Sequence, residues 1–124
     1  MTDKKTSKDL EEPLVLGKAV TSAAERLGIS GVALGAILGL SPSTITRLRK
    51  GGYKLHEHRK EWEFAMLFVR LFHSLNTVTS DEETARRWFG SENLRLHGRP
   101  VDLVRRPEGL VRVIQYLEAS RGLS

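Results

Sequence analysis

Apolar positions along this chain recur every three or four residues almost throughout, and no segment alternates convincingly. That period predicts an all-α fold. Residues 1–12 are polar, mixed in charge and without period, and read as a flexible tail. Pro13 then opens a helical pattern. Leu14, Val15, Ala19, Val20, Ala23, Ala24 and Leu27 are expected to form its apolar stripe, and Gly28 stops it. Ser30 is placed to cap a second helix through about Leu38, and a third runs from about Pro42 to Lys50, ended by Gly51 and Gly52. Residues 61–75 predict a helix without one clean face. Trp62, Phe64, Ala65, Met66, Leu67, Phe68, Val69, Leu71, Phe72 and Leu75 cover most of its circumference, and Glu61, Glu63, Arg70, His73 and Ser74 interrupt them. Such a helix is buried on several sides. It is expected to sit centrally under the others and to meet a second subunit. Ser80-Asp81-Glu82-Glu83 reads as a capping box with Ser80 as the cap, opening a helix to about Phe89. Residues 93–99 read as a loop and 100–106 as a short helix. From Pro107, Leu110, Val113, Ile114 and Leu117 hold the spacing of a last helix that ends near Gly122.

Residues 31–50, GVALGAILGLSPSTITRLRK, carry the most specific local pattern. Leu34 and Leu38 are apolar on a first helix, Gly39 stands where the chain must turn with positive φ, and Leu40 follows as an apolar plug. Ser41 can cap the next helix, and Pro42 at its first position loses no useful N–H. Ile45 and Leu48, three apart, pack that helix back onto the first. The opposite face carries short hydroxyls and long cations, the chemistries that reach phosphates and base edges. This is the pattern of a helix-turn-helix that lays its second helix in the DNA major groove. The candidate DNA contacts are Ser41, Ser43, Thr44, Thr46, Arg47, Lys50 and Lys54. Arg47 can read a guanine or clamp a phosphate, and the hydroxyls near the helix start suit backbone phosphates. Arg49 is expected to point sideways and serve solubility.

Charge placement strengthens that assignment. The net charge is +5, and residues 41–60 alone hold six Lys/Arg against Glu57. The other residues balance at fourteen of each sign. A basic patch confined to one helix and the loop after it suits a polyanion. A chain of 124 residues with 40% apolar content makes one compact domain, or two very small ones sharing a core. The absence of cysteine excludes disulfides and thiolate zinc sites, and fits a reducing compartment. No apolar run reaches the length of a membrane span and the start is not signal-like, so a cytoplasmic location is expected. His56 and His58, two apart, share a face only in an extended segment, and no third ligand is evident, so they read as a solvated loop. His73 reads as a packed core histidine. No Gly-rich phosphate loop, HExxH or cysteine nucleophile is present, and scattered Ser, His and Asp residues make no triad. A non-enzyme without cofactor or metal is expected.

The C-terminal third narrows the class. Trp88-Phe89-Gly90 is followed by NLRLHGRPVDLV at 93–104, PEGLVRVIQYL at 107–117 and Arg121-Gly122. That ordered set resembles the toxin-binding domain of Xre/MbcA/ParS-type bacterial antitoxins, closely over about the last forty residues and loosely in helical order throughout. Two departures stand out: Glu92 where a proline is common, and Gly35 where alanine is usual. The resemblance implies the antitoxin half of a two-gene module. Its partner would be a RES-domain toxin that depletes NAD, covered at its active-site entrance by the C-terminal domain. The helix-turn-helix would let the pair repress its own promoter, with a homodimer reading paired half-sites. On that reading residues 1–12 are a tail, 13–60 an Xre-like DNA-binding region, and 61–124 a toxin-binding and dimerisation domain. Gly98, Arg99, Asp102 and Leu103 are a tight turn feeding a short helix, part of the toxin contact, or both. Tyr116, Glu118, Arg121, Gly122, Leu123 and Ser124, late on the last helix or beyond it, are assigned the inhibitory contact. Two alternatives stay open: a stand-alone transcription regulator whose C-terminal helices only dimerise, and a toxin binder whose helix-turn-helix scaffold binds no DNA.

Overall fold

Local capping chemistry sets where the helices begin. Ser30 Oγ accepts the Ala33 N–H at 3.1 Å, and Ser41 Oγ accepts the Thr44 N–H at 3.2 Å. The computed structural model describes residues 13–122, with side chains through residue 120; the tail at 1–12, Leu123 and Ser124 lie outside the described residues. Seven helices make up the described part: α1 Pro13–Leu27, α2 Gly31–Leu38, α3 Pro42–Arg49, α4 Lys60–Val78, α5 Glu82–Gly90, α6 Pro100–Leu103 and α7 Pro107–Gly122. There is no strand among them, only an isolated antiparallel bridge between Asn93 and Gly98. The class is all-α.

α2 and α3 lie 102° apart, joined at Gly39 with φ 76°. The usual alanine is absent at Gly35 for a reason the turn supplies. A glycine inside a helix costs roughly 1 kcal/mol. Here the Gly35 carbonyl accepts the N–H groups of both Gly39 and Leu40, each at 2.8 Å. A Cβ on Gly35 would stand 2.5 Å from the Leu40 carbonyl oxygen. With alanine there the Leu40 carbonyl would have to stand further off, so the glycine lets this turn lie closer to α2.

α4 is the central element. It packs on α7, α1 and α2, and touches α5. Ala65, Phe68, Leu71 and Leu75 are fully buried on it, while Trp62, Phe64, Leu67, Val69 and Phe72 are partly covered. Burying Phe68 alone contributes on the order of 2–3 kcal/mol. α1 and α3 complete one half of the core, and α5, α6 and α7 the other. Arg86 Nε donates to the Arg26 carbonyl at 3.0 Å and fastens α5 to the end of α1.

Several expectations from the pattern are corrected. Leu14 and Val15 are exposed, and the buried face of α1 is set by Leu16, Val20, Ala23, Ala24 and Leu27. Three consecutive apolar residues at 14–16 cannot all lie on one helical face, and the i, i+4, i+7 spacing from Leu16 wins. His73 is exposed, because it shares the solvent face of α4 with Arg70 and Thr77. Arg49 is not idle: its guanidinium donates to the Ile29 carbonyl at 3.4 Å, tying α3 to the α1–α2 junction. α6 stops at Leu103 rather than Arg106: the Val104 N–H caps it on the Pro100 and Asp102 carbonyls, and the chain then turns through 104–106 into α7.

The cap of α5 is Asp81, one residue later than expected. Its carboxylate accepts the Thr84 N–H at 2.7 Å, and Ser80 Oγ lies 3.4 Å from the other carboxylate oxygen. A carboxylate outcompetes a hydroxyl at the positive end of a helix. The bond from Thr84 holds the Asp81 carboxyl below its ordinary range. A depressed carboxyl stabilises the fold above its unfolded value, and that contribution disappears as pH falls through the lowered one. Thermal melts from pH 7 to 3 are therefore expected to lose less stability in Asp81→Asn, which keeps a capping oxygen, than in the unaltered chain. Parallel pH profiles would remove Asp81 from the acid response.

Candidate functional site

Ser43, Thr46, Arg47 and Lys50 stand at i, i+3, i+4 and i+7 on α3 and its C-cap, all exposed, over the buried Ile45 and Leu48. The hydroxyls stay largely exposed but bond within the start of the helix. Ser41 Oγ lies 3.2 Å from Ser43 Oγ and 2.9 Å from Thr44 Oγ1, and Thr46 Oγ1 donates to the Pro42 carbonyl at 3.1 Å. They stiffen the start of α3, and the reach of this face comes from Arg47, Lys50 and Lys54.

The basic loop behind α3 is folded, not merely solvated. Leu55 is buried at 2% exposure. Glu61, in the first turn of α4, is buried too. Its Oε2 accepts the Tyr53 hydroxyl at 2.6 Å and the His56 N–H at 2.9 Å. The Arg47 guanidinium lies 5.5 Å from the centre of the Tyr53 ring, within cation–π range. The His56 ring meets Tyr53 edge-on at 5.7 Å. Burial first, then the bond to Glu61, pushes the Tyr53 phenol up to about 12. Lys54 sits exposed between two anchored neighbours. Sequence reasoning took Glu61 only for a polar break in an apolar helix; a carboxylate opening a helix right after a basic loop was the available signal.

The other candidate face gathers around the turn after α5. Asn93 and Gly98 exchange backbone bonds at 3.0 and 3.3 Å, and Asn93 Oδ1 accepts the Leu96 N–H at 3.0 Å. Leu96 is buried, and Arg112 of α7 donates to its carbonyl. His97 is held at φ 61°, a left-handed conformation that costs a residue with a Cβ about 1 kcal/mol or more. This closed turn leaves Leu94 90% exposed. Gly98 packs beside the half-buried Leu103. Arg99 holds Asp102 through two bonds of 2.9 and 3.2 Å. Along 92–112, Arg95, Arg99, Arg105, Arg106 and Arg112 are exposed, against the exposed acids Glu92, Asp102 and Glu108.

Gly98, Arg99, Asp102 and Leu103 thus share one neighbourhood. Tyr116 and Glu118 occupy another. The Tyr116 ring stacks on Trp88, centroids 6.2 Å apart and planes at 16°. Glu118 accepts Arg70 Nε and Nη2, each at 2.7 Å, with Ser74 Oγ at 3.5 Å. These two residues bind α7 to α5 and α4. Arg121 and Gly122 continue the α7 backbone, and Leu123 and Ser124 are beyond the described residues.

Comparison with known proteins accounts for both halves. A model of the antitoxin Xre-like helix-turn-helix domain matches residues 9–70, and one of the antitoxin Xre/MbcA/ParS C-terminal toxin-binding domain matches residues 74–122. The chain belongs to the Xre/MbcA/ParS antitoxins. Among solved structures, this antitoxin is similar to a chain in the crystal structure of the M. tuberculosis MbcT–MbcA toxin–antitoxin complex. Identity is 29%, over 87% of this chain and 95% of that one, with a TM-score of 0.65. No curated protein sequence matches the antitoxin. The two family regions meet inside α4. No single described helix is long and apolar enough to cross a membrane.

Proposed function

We propose that this antitoxin neutralises a cognate NAD-depleting RES-domain toxin in the cytoplasm by covering its active-site entrance, and represses its own operon through α3. The observation that carries the reading is the union, in one folded chain, of a family toxin-binding region with an exposed cationic recognition helix. Ser41, Ser43, Thr44, Thr46, Arg47, Lys50 and Lys54 face the operator. Leu94, Gly98, Arg99, Asp102 and Leu103 form the first toxin contact, and the C-terminal stretch from Tyr116 and Glu118 through Arg121, Gly122, Leu123 and Ser124 the second. Catalysis belongs to the partner, and among the described residues no group of three or more His, Cys, Asp or Glu is gathered to hold a metal ion. Dimerisation across the 61–124 half, where Met66 of α4 is 41% exposed, would pair two recognition helices on half-sites about one DNA turn apart.

Co-expression with the adjacent reading frame is expected to yield a stable complex that loses NAD-consuming activity. The purified complex should bind duplex DNA from upstream of its own gene with strong salt dependence. Arg47→Ala should weaken that binding and flatten the slope of log K against log salt by roughly one. Unchanged operator binding in Arg47→Ala would sink the assignment of α3.

A further inference from the structure

We infer that Glu61, Tyr53 and Arg47 form a single platform that fixes the DNA-facing cations in place, with Glu61 as its positioning residue. The inference rests on the proposed DNA reading and adds a residue from outside the helix-turn-helix pattern to it. Three observations converge. A buried carboxylate holds both a tyrosine hydroxyl and the backbone of His56 on one oxygen. The tyrosine ring it holds lies under the guanidinium of Arg47. Lys54 is strung between that tyrosine and the buried Leu55, so its backbone is fixed at both ends.

A long cation free in solution must be ordered when it meets a phosphate, and that ordering weakens binding. A cation already stacked on an anchored ring loses less freedom. Glu61 itself is buried, so it does not meet the polyanion directly. Its contribution is to hold Tyr53 where the ring can carry Arg47. The platform also joins the recognition helix to α4, which both halves of the protein share.

The test uses the full chain and a duplex from upstream of its own gene. Tyr53→Phe removes the hydroxyl and keeps the ring; Tyr53→Leu removes the ring. Each is expected to bind roughly threefold to tenfold more weakly, the effect of ordering one long side chain. The slope of log K against log salt should stay unchanged, because every charge remains. Arg47→Ala should cost less affinity in the Tyr53→Leu background than alone, since the two act as one unit. Toxin affinity measured on the same samples should not move, which separates the platform from general unfolding. Wild-type affinity in both Tyr53 variants, or an equal Arg47→Ala loss in both backgrounds, overturns the platform while leaving the DNA reading standing. No salt-dependent binding by the unaltered chain overturns both. Should Glu61→Gln fold, it is expected to behave as Tyr53→Phe does.

Discussion

Replacing Gly109 with alanine is expected to destabilise this antitoxin by about 3 kcal/mol, against the gain of up to about 1 kcal/mol that the same change normally brings inside a helix. Gly109 is buried in the first turn of α7, where the chain returns beside α6. An added Cβ would overlap the carbonyl of Leu103. The obstacle is backbone, so no rotamer change relieves it. Either α7 slides or α6 moves away, and both break packing that joins α7 to α4. Moving α6 also displaces Arg99, Asp102 and Leu103. Urea unfolding should show the loss directly, and toxin affinity should fall with it. Gly90 is the internal control: nothing lies within 4 Å of its added Cβ, so Gly90→Ala should be neutral or mildly stabilising. A Gly109→Ala chain as stable as the original would mean that the approach of α7 to α6 is looser than described.

What was legible before the fold was known follows the range of the forces involved. Ser30, Ser41, Pro42 and Gly39 were placed correctly because their work is done within three or four residues of themselves. The face of α1 was misplaced because leucine and valine at 14–16 are equally apolar, and only packing against α4, α5 and α3 selects among them. Glu118 and Arg70 are 48 positions apart, and no pattern along the chain pairs them. Glu61 and Tyr53 are eight apart but join a loop to a helix, so helical spacing does not reveal them either. Gly35 looked like a weakness in a helix and Gly109 was only one residue of the family pattern; the reason for each became visible when a second stretch of backbone lay beside it. The family was legible because turns and prolines in the last forty residues recur in a fixed order. The individual contact residues were not, because a partner's shape leaves no trace in helical periodicity.

Leu94 is where the partner reading meets its sharpest test. An apolar side chain 90% exposed on a closed turn gives the isolated protein nothing. The surrounding structure still holds it there, with three hydrogen bonds, a buried Leu96 and a left-handed His97. A side chain ordered in advance, on a turn that also carries the exposed cations Arg95 and Arg99, fits an apolar pocket with a carboxylate rim. Leu94→Ala is expected to weaken toxin binding by roughly thirtyfold, the scale of an interface hot spot at about 2 kcal/mol. Leu94→Asp should weaken it further, because a charge would then have to enter an apolar pocket. Neither change touches the core, so melting temperature and operator binding should remain those of the unaltered chain. Isothermal titration against the purified toxin measures the loss. Full affinity in Leu94→Asp would move the toxin contact away from this turn and onto the end of α7, where deletion of residues 121–124 becomes the decisive variant.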